Sequence, residues 1–240
     1  KGYAQLWRKL SARKAARVQV CMEATGTYWE GLAHYAHARH AIVQVVNPAR
    51  VKYYARAEGL RQKTDAIDAG VTARFSLTQV CLPWAPPTPA LRELQAISRR
   101  MDDISLMLQK ERNRASSAVD VLTAASVARM QHALKDEYET LVRAFDAVLK
   151  RAPAFAHEME LLCSIVGVSV RTARRLLVFL RRTPYDTARQ AAAAGGITPT
   201  HYSSGMKDDK HPRISRMGDA ALRHFLYSPA MVAERFNPII

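Results

Sequence analysis

The chain has 240 residues, 48% of them hydrophobic, and its 36 Lys and Arg against 21 Asp and Glu leave a net charge of +15. This length allows one large domain or two ordinary ones. A pI near 10.1 indicates a polyanionic partner such as nucleic acid. No apolar run approaches the ~20 residues of a bilayer span, so a membrane partner is not expected.

Cysteine usage is sparse. Cys21, Cys81 and Cys163 lie far apart and form no CxxC pair, which argues against a zinc site or a disulfide framework. This pattern suits a reducing cytoplasm.

The charge is unevenly distributed. Residues 1–80 carry 13 basic and five acidic side chains, residues 81–150 carry ten and nine, and residues 151–240 carry 13 and seven. Two basic ends therefore flank a balanced middle, which is typical of two nucleic-acid-facing modules joined by a protein-facing connector.

Hydrophobic periodicity predicts alternating helices and strands in the first module. In chain order these are a helix at 3–10, a strand ending at Glu23, a turn at 24–27, a helix over 28–39, a strand over 41–46 that Asn47-Pro48 stops, and a helix from Asp65 to about Gln79 capped by Thr64. Such an order implies an α/β layer.

A proline-rich stretch, LPWAPPTP at 82–89, cannot continue a helix and predicts a domain boundary. We expect three parts: an α/β domain over 1–82, a helical connector over 83–152 and a mostly helical domain over 153–240. The connector shows two long helical patterns, about 89–115 and 118–150, typical of an antiparallel hairpin or a coiled coil. Packing on its own domain and dimerisation are equally compatible with this periodicity.

The last part is predicted to be helical with one polar loop. Residues 161–180 have the pattern of a helix, a turn at Gly167 and a second helix. A further helix breaks at Gly195-Gly196 and leads into a polar loop that runs to about residue 215. A final helix is expected over 218–235.

Three acids in the basic first module are candidate metal ligands. Asp65 and Asp68 are spaced i,i+3 and share one helix face, while Glu23 ends a strand, where α/β folds place ligand sites. Carboxylates with open positions for water and phosphate oxygens suit Mg²⁺. The helix dipole alone also favours acids in a first turn, and on spacing alone it is the better explanation of the two aspartates.

Ser204 is a candidate nucleophile toward a phosphodiester, because it lies beside a glycine in the polar loop and basic side chains follow it. The basic residues that would hold phosphate oxygens are Lys207, Lys210, Arg213 and Arg216. An ordinary Ser-Gly turn is the simpler interpretation of the local sequence.

The Gly167 turn is a candidate phosphate site. A helix N-terminus after a tight turn offers backbone N–H groups, and Arg171, Arg174 and Arg175 follow at once. A helical hairpin with a solvated basic face is an equally good interpretation.

Several segments together resemble one family, the IS110 insertion-sequence transposases. These segments are MEATGTYWE (22–30), VNPARVKYYARAEGLRQKTDAIDA (46–69), IVGVSVRTARRLL (165–177), AAAAGGITPTHYSSG (191–205) and RISRMGDAALRHFL (213–226). The similarity covers nearly the whole chain, and the order of the motifs argues against a chance agreement.

The resemblance implies a DEDD recombinase. Its RuvC-like domain has an RNase H-type α/β fold that binds Mg²⁺ through four acids, among which Glu23, Asp65 and Asp68 match. Ser204 matches the serine of the helical transposase domain, which forms a phosphoserine link to DNA. Family members act in the bacterial cytoplasm as homo-oligomers, dimers or tetramers, on donor and target DNA. A structured non-coding bridge RNA guides them, and one subunit's RuvC-like domain joins another subunit's serine domain.

This sequence departs from the family pattern at three points. The family's first Asp precedes the Glu, and no acid precedes Glu23 here, so we expect the first strands and that Asp to lie outside this sequence, which leaves the RuvC-like domain partial. The hairpin usually reads glycine-x-glycine, but Ser169 takes the second position. Family members also continue with more helices beyond Ile240.

Two other functions remain open from the sequence. A RuvC-like junction nuclease would cleave with water and leave no protein–DNA adduct. A non-catalytic nucleic-acid-binding relic of a transposase would bind with strong salt dependence and cleave nothing.

Overall fold

The computed structural model describes residues 2–11, 17–60, 62, 64–200, 203–204, 207–208, 213–215 and 217–238, with backbone alone at 203–204 and 207–208. The chain forms two compact units, Lys1–Pro86 and Pro87–Ile240. Their boundary falls inside the proline-rich stretch.

The first unit contains a short parallel sheet and four helices among its described residues. These elements are α1 (Gly2–Ser11), β1 (Gln19–Glu23), α2 (Tyr28–His37), β2 (Ile42–Val46), α3 (Pro48–Ala57) and α4 (Asp65–Thr78). β1 and β2 pair in parallel, from Gln19 opposite Ile42 to Glu23 opposite Val46. The predicted strands and helices of this module are present, and α3 is an addition.

The first unit has helices on both faces of its sheet. Successive side chains of a strand point to opposite faces, so the strands contribute to a hydrophobic cluster on each side. Val43 faces a cluster with Ala33 and Ala36 of α2. Val46 faces the other way, into a cluster whose remaining buried members are Val51, Val71 and Phe75 of α3 and α4. The sheet is thus the middle of three layers.

α3 begins where the sequence predicts only a stop. The side-chain oxygen of Asn47 accepts the Ala49 N–H at 2.8 Å, and Pro48 occupies the first helical turn. Proline suits that position since its missing N–H would have no partner there. Asn47-Pro48 therefore ends β2 and starts a helix at the same point.

The second unit is mostly helical. Its elements are α5 (Pro89–Ser117), α6 (Val121–Arg151), α7 (Pro153–Cys163), α8 (Val170–Leu180), α9 (Ala188–Gly195), β3 (Pro199–Thr200), β4 (Ser203–Ser204), β5 (Lys207–Asp208), β6 (Arg213–Ile214) and α10 (Ala220–Phe236). α5 and α6 run antiparallel, because Arg151 at the end of α6 contacts Glu93 near the start of α5 at 2.7 Å.

The core of the second unit joins four helices. Leu94 and Phe145 are fully buried and pack with Met159 of α7 and Leu177 of α8. One end of the α5–α6 hairpin thereby packs on its own unit. None of the described helices is long and apolar enough to cross a bilayer.

Candidate active site and nucleic-acid interface

Glu23 lies at the carboxyl end of β1, half-buried, opposite Val46 at the end of β2. The Ala24 N–H extends the pairing by one residue and donates to the Val46 carbonyl at 2.9 Å. Because both strands run in the same direction, their carboxyl ends form one edge of the sheet. We call this the carboxylate edge.

α4 runs antiparallel to β1 and brings its first turn to the carboxylate edge. The Gln19 side chain, at the start of β1, donates to the carbonyl of Ser76, late in α4, at 3.0 Å. From Ser76 back to Asp68 the helix spans roughly 12 Å, and from Gln19 to Glu23 the strand spans roughly 13 Å. Because these two lengths are similar, the first turn of α4 lies toward the carboxyl end of β1.

Thr64 fixes the start of α4, as the sequence predicts. Its hydroxyl accepts the Ile67 N–H at 3.3 Å, and its carbonyl accepts the Asp68 N–H at 2.8 Å. Asp65 is exposed and Asp68 half-buried in this first turn, where the helix dipole favours negative charge. Cap and dipole together favour two carboxylates in this turn.

Carboxylates are ligands that suit Mg²⁺. Within the part of the chain that the structure describes, no three His, Cys, Asp or Glu side chains are gathered to hold a metal ion. The structure therefore does not bring Glu23, Asp65 and Asp68 together as a ligand set.

Ser204 lies in a small hairpin on a closed stem. β4 and β5 pair with Ser203 opposite Asp208 and Ser204 opposite Lys207. The structure gives the backbone alone at Ser204 and Lys207, and Lys210 and Arg216 lie outside the described residues.

Beneath this hairpin, β3 and β6 pair with Pro199 opposite Ile214 and Thr200 opposite Arg213. The Ser215 N–H donates to the Thr198 carbonyl at 2.9 Å and continues the ladder. We call the paired segments 198–200 and 213–215 the stem, and residues 201–212 the serine loop. Arg213 is exposed at the top of the stem.

Glycines hold the base of the stem together. Gly196 has φ +68 and ends α9 in the left-handed conformation. A methyl group on Gly218 would meet the Ala194 carbonyl oxygen and lie 2.5 Å from the Gly196 nitrogen. The two chain segments therefore approach as closely as bare backbones allow.

The three arginines of α8 have different surroundings. Arg174 donates to both carboxylate oxygens of Asp146 on α6, at 2.9 and 3.1 Å. Arg175 forms an ion pair with Asp102 on α5. Arg171 is exposed. The sequence predicts nucleic-acid contacts for all three arginines. The structure places Arg174 and Arg175 against carboxylates of the same unit.

The Gly167 turn is present, with φ +94. A side chain there would also lie 2.7 Å from the Pro229 carbonyl of α10, so a glycine is needed for conformation and for space. Ser169 caps α8 by accepting the Thr172 N–H at 3.3 Å. The residue that replaces the second glycine of the family pattern thus satisfies a helix N–H itself.

Two family comparisons cover most of the chain. Residues 1–124 match a family described as a transposase of the DEDD, IS110 type, and residues 159–240 match the transposase IS116/IS110/IS902 family. The chain belongs to the IS110 transposase family. The resemblance inferred from its motifs is therefore confirmed, and the family is one of DNA transposases and recombinases.

Two curated relatives of this IS110 family member are pilin gene-inverting proteins. The protein from Moraxella bovis is 29% identical over 228 residues, which cover 95% of this chain and 70% of the relative. The protein from Moraxella lacunata is 28% identical with the same coverage. The match over residues 1–124 implies a RuvC-like fold for the first part of this IS110 family chain.

Sequence reasoning on this IS110 family chain missed the acidic partners of its α8 arginines. Asp102 and Asp146 belong to the balanced middle of the sequence, and they lie 73 and 28 positions from Arg175 and Arg174 in the chain. The available signal was the near-equal number of acids and bases in that middle, which is typical of charges paired inside a fold.

Proposed function

We propose that this chain is the catalytic part of a Mg²⁺-dependent serine recombinase that moves an insertion sequence between DNA sites. Family membership gives the class of reaction. The metal assignment is supported by the direction of α4, whose first turn, with Asp65 and Asp68, lies toward the carboxyl end of β1, where Glu23 is. Glu23, Asp65 and Asp68 would hold the ion together with the fourth acid of the family pattern.

Mg²⁺ in such a site supplies charge stabilisation at phosphate oxygens. The residues of the chain supply the nucleophile and the surroundings. The Ser204 hydroxyl attacks a DNA phosphorus, so that a serine–phosphorus bond forms and the bond to one strand end breaks. The departing oxygen takes up a proton, and the serine hydroxyl gives one up. A hydroxyl of the second DNA strand then displaces the serine, and the number of phosphodiesters stays constant.

Basic side chains around the serine neutralise charge on the reacting phosphate. Arg213 at the top of the stem and Lys207 opposite Ser204 in the hairpin occupy suitable backbone positions, and Lys210 and Arg216 belong to the same set. We further propose that the protein works in the bacterial cytoplasm as a homo-oligomer, with α5 and α6 as a coiled-coil contact, and that a structured bridge RNA selects donor and target DNA.

The neighbouring serines allow a sharp test. Full-length protein is incubated with Mg²⁺, bridge RNA and element-end DNA, and covalent protein–DNA adduct is trapped under denaturing conditions. We expect Ser204→Ala to abolish the adduct and Ser203→Ala, the matched control one residue away, to retain it. An adduct in Ser204→Ala would show that another residue is the nucleophile.

The carboxylates are tested in the same assay. Asp65→Asn and Asp68→Asn should each lower adduct formation at least 100-fold, because each removes a charged ligand while keeping the side-chain size. Cleavage without any adduct in the wild type would favour the junction nuclease, and binding without cleavage would favour the relic.

A further inference from the structure

A cleft on the surface of the second unit is lined by arginines, aromatic rings, two serines, a methionine and the carboxylate of Asp102. Its volume is about 60 Å³, and its lining includes Tyr138 of α6, Phe225 of α10 and all three arginines of α8. This is room for a few water-sized groups, such as the free oxygens of a phosphate.

Two of the three positive charges are already matched. Arg174 pairs with Asp146, and the exposed fractions of the two side chains are 13% and 44%. Arg175 pairs with Asp102, at 14% and 40%. Burial raises the pKa of Asp102, although the Arg175 guanidinium acts in the opposite direction. These pairs tie α8 to α6 and to α5, and they leave little charge for a ligand.

Each of the two ion pairs also leaves one hydrogen-bond donor of its arginine unused. The Nε–H groups of Arg174 and Arg175 are buried and have no hydrogen-bond partner among the described residues. An unsatisfied buried donor costs about 1–3 kcal/mol.

Arg171 holds the unmatched charge at the cleft. Its guanidinium lies 5.5 Å from the centre of the Tyr138 ring and 5.7 Å from that of Phe225. It donates to the Ser105 hydroxyl at 3.3 Å. These partners are all neutral, so they orient the guanidinium without cancelling its charge.

We propose that this cleft binds one backbone phosphate of a nucleic-acid strand, with Arg171 as the contacting residue and Arg174 and Arg175 as positioning residues. This inference rests on the proposed function for its ligand class. It assigns the contact to a side chain rather than to the N-terminus of α8, where Ser169 already accepts the Thr172 N–H.

The test measures binding without chemistry. Full-length protein is titrated into labelled duplex DNA, and separately into labelled structured RNA, in EDTA over a series of salt concentrations. Losing one phosphate contact on duplex DNA lowers the slope of log affinity against log salt by about 0.9. We expect Arg171→Ala to lower the slope by this amount and to weaken binding several-fold. Arg171→Lys should keep the slope and bind less tightly, since it lacks the planar fork.

Arg143→Ala is the matched control. It removes the same charge from α6, but Arg143 is exposed and lies about 140° around the helix from Tyr138. A slope lowered on DNA alone or on RNA alone supports the cleft and assigns the phosphate to that strand. The inference would be overturned if Arg171→Ala and wild type had equal salt slopes. It would also be overturned if Arg143→Ala lowered the slope as much as Arg171→Ala does.

The same data separate this inference from the proposed function. If wild type and Arg171→Ala differ as expected but no adduct forms with Mg²⁺, the cleft stands and the serine mechanism fails. If the adduct forms normally and the slopes are equal, the mechanism stands and the cleft fails. Thermal unfolding of Arg171→Ala and Arg171→Lys checks folding, and the Lys variant keeps the test decisive if the Ala variant unfolds.

Discussion

Cys21 is a thiol on β1 packed against the cluster that contains Val71 and Phe75. Burial raises its pKa from 9.0 to about 11, and Cys81 and Glu23 contribute in the same direction. At pH 8 a thiol with this pKa is roughly 0.1% thiolate, against roughly 10% at a pKa of 9. The folded chain therefore protects this sulfur from electrophiles.

Alkylation tests this protection. Because only the thiolate reacts, Cys21 should react with iodoacetamide at pH 8 about 100-fold more slowly in the folded chain than in denatured chain, as followed by peptide mass spectrometry. The raised folded pKa also means that unfolded chain loses the proton first, so stability should fall as pH rises from 9 to 11. Equal folded and denatured rates would contradict the burial of this thiol.

At the scale of elements, the stem controls where the serine loop begins and ends. A Gly218→Ala methyl group would meet backbone atoms, which cannot rotate away as a flexible side chain does. Such crowding typically costs about 1–3 kcal/mol. We expect this variant to lower adduct formation at least tenfold while DNA binding in EDTA stays near the wild-type value.

Gly2→Ala in α1 is the control, because nothing lies within 4 Å of the added methyl group. Adduct formation should be unchanged in it. Full adduct formation in Gly218→Ala would show that the stem does not position the serine.

Local signals predicted most of the elements, and longer-range contacts account for what was missed. Thr64 could be predicted as a helix N-cap because its hydrogen bonds reach only to Ile67 and Asp68, three and four residues away. The sequence did not predict α3, because the same two residues, Asn47 and Pro48, both end a strand and start a helix. The two-residue strands of the stem pair across more than ten residues, and so short a strand has no periodicity to detect.

For the candidate site, motif order predicted the residue types, and only the fold supplied their relations. The direction of α4 relative to β1 depends on the contact between Gln19 and Ser76. The different surroundings of Arg171 and Arg174 depend on an acid and rings from two other helices, α6 and α10. Neither relation has a signature in local sequence.

At the scale of the whole molecule, each unit has its own core. Phe75 is 2% exposed in the first unit, and Phe145 is fully buried in the second. Truncating either to Ala should cost about 3–5 kcal/mol. We expect calorimetry to resolve two unfolding transitions. Phe75→Ala should lower the midpoint temperature of one transition, and Phe145→Ala should lower that of the other. A single transition that both variants shift equally would contradict separate cores.

The stem has a consequence for how such enzymes diversify. Since Thr200 and Arg213 are held together by their own ladder, the ends of the chain between them keep their positions when residues are added around Ser204. Doubling a flexible loop costs only about 0.6 kcal/mol of closure entropy. Insertions of different length and charge that retain the serine and its basic neighbours can therefore be accepted on the same stem, which offers a route to new substrate preferences without redesign of the helices.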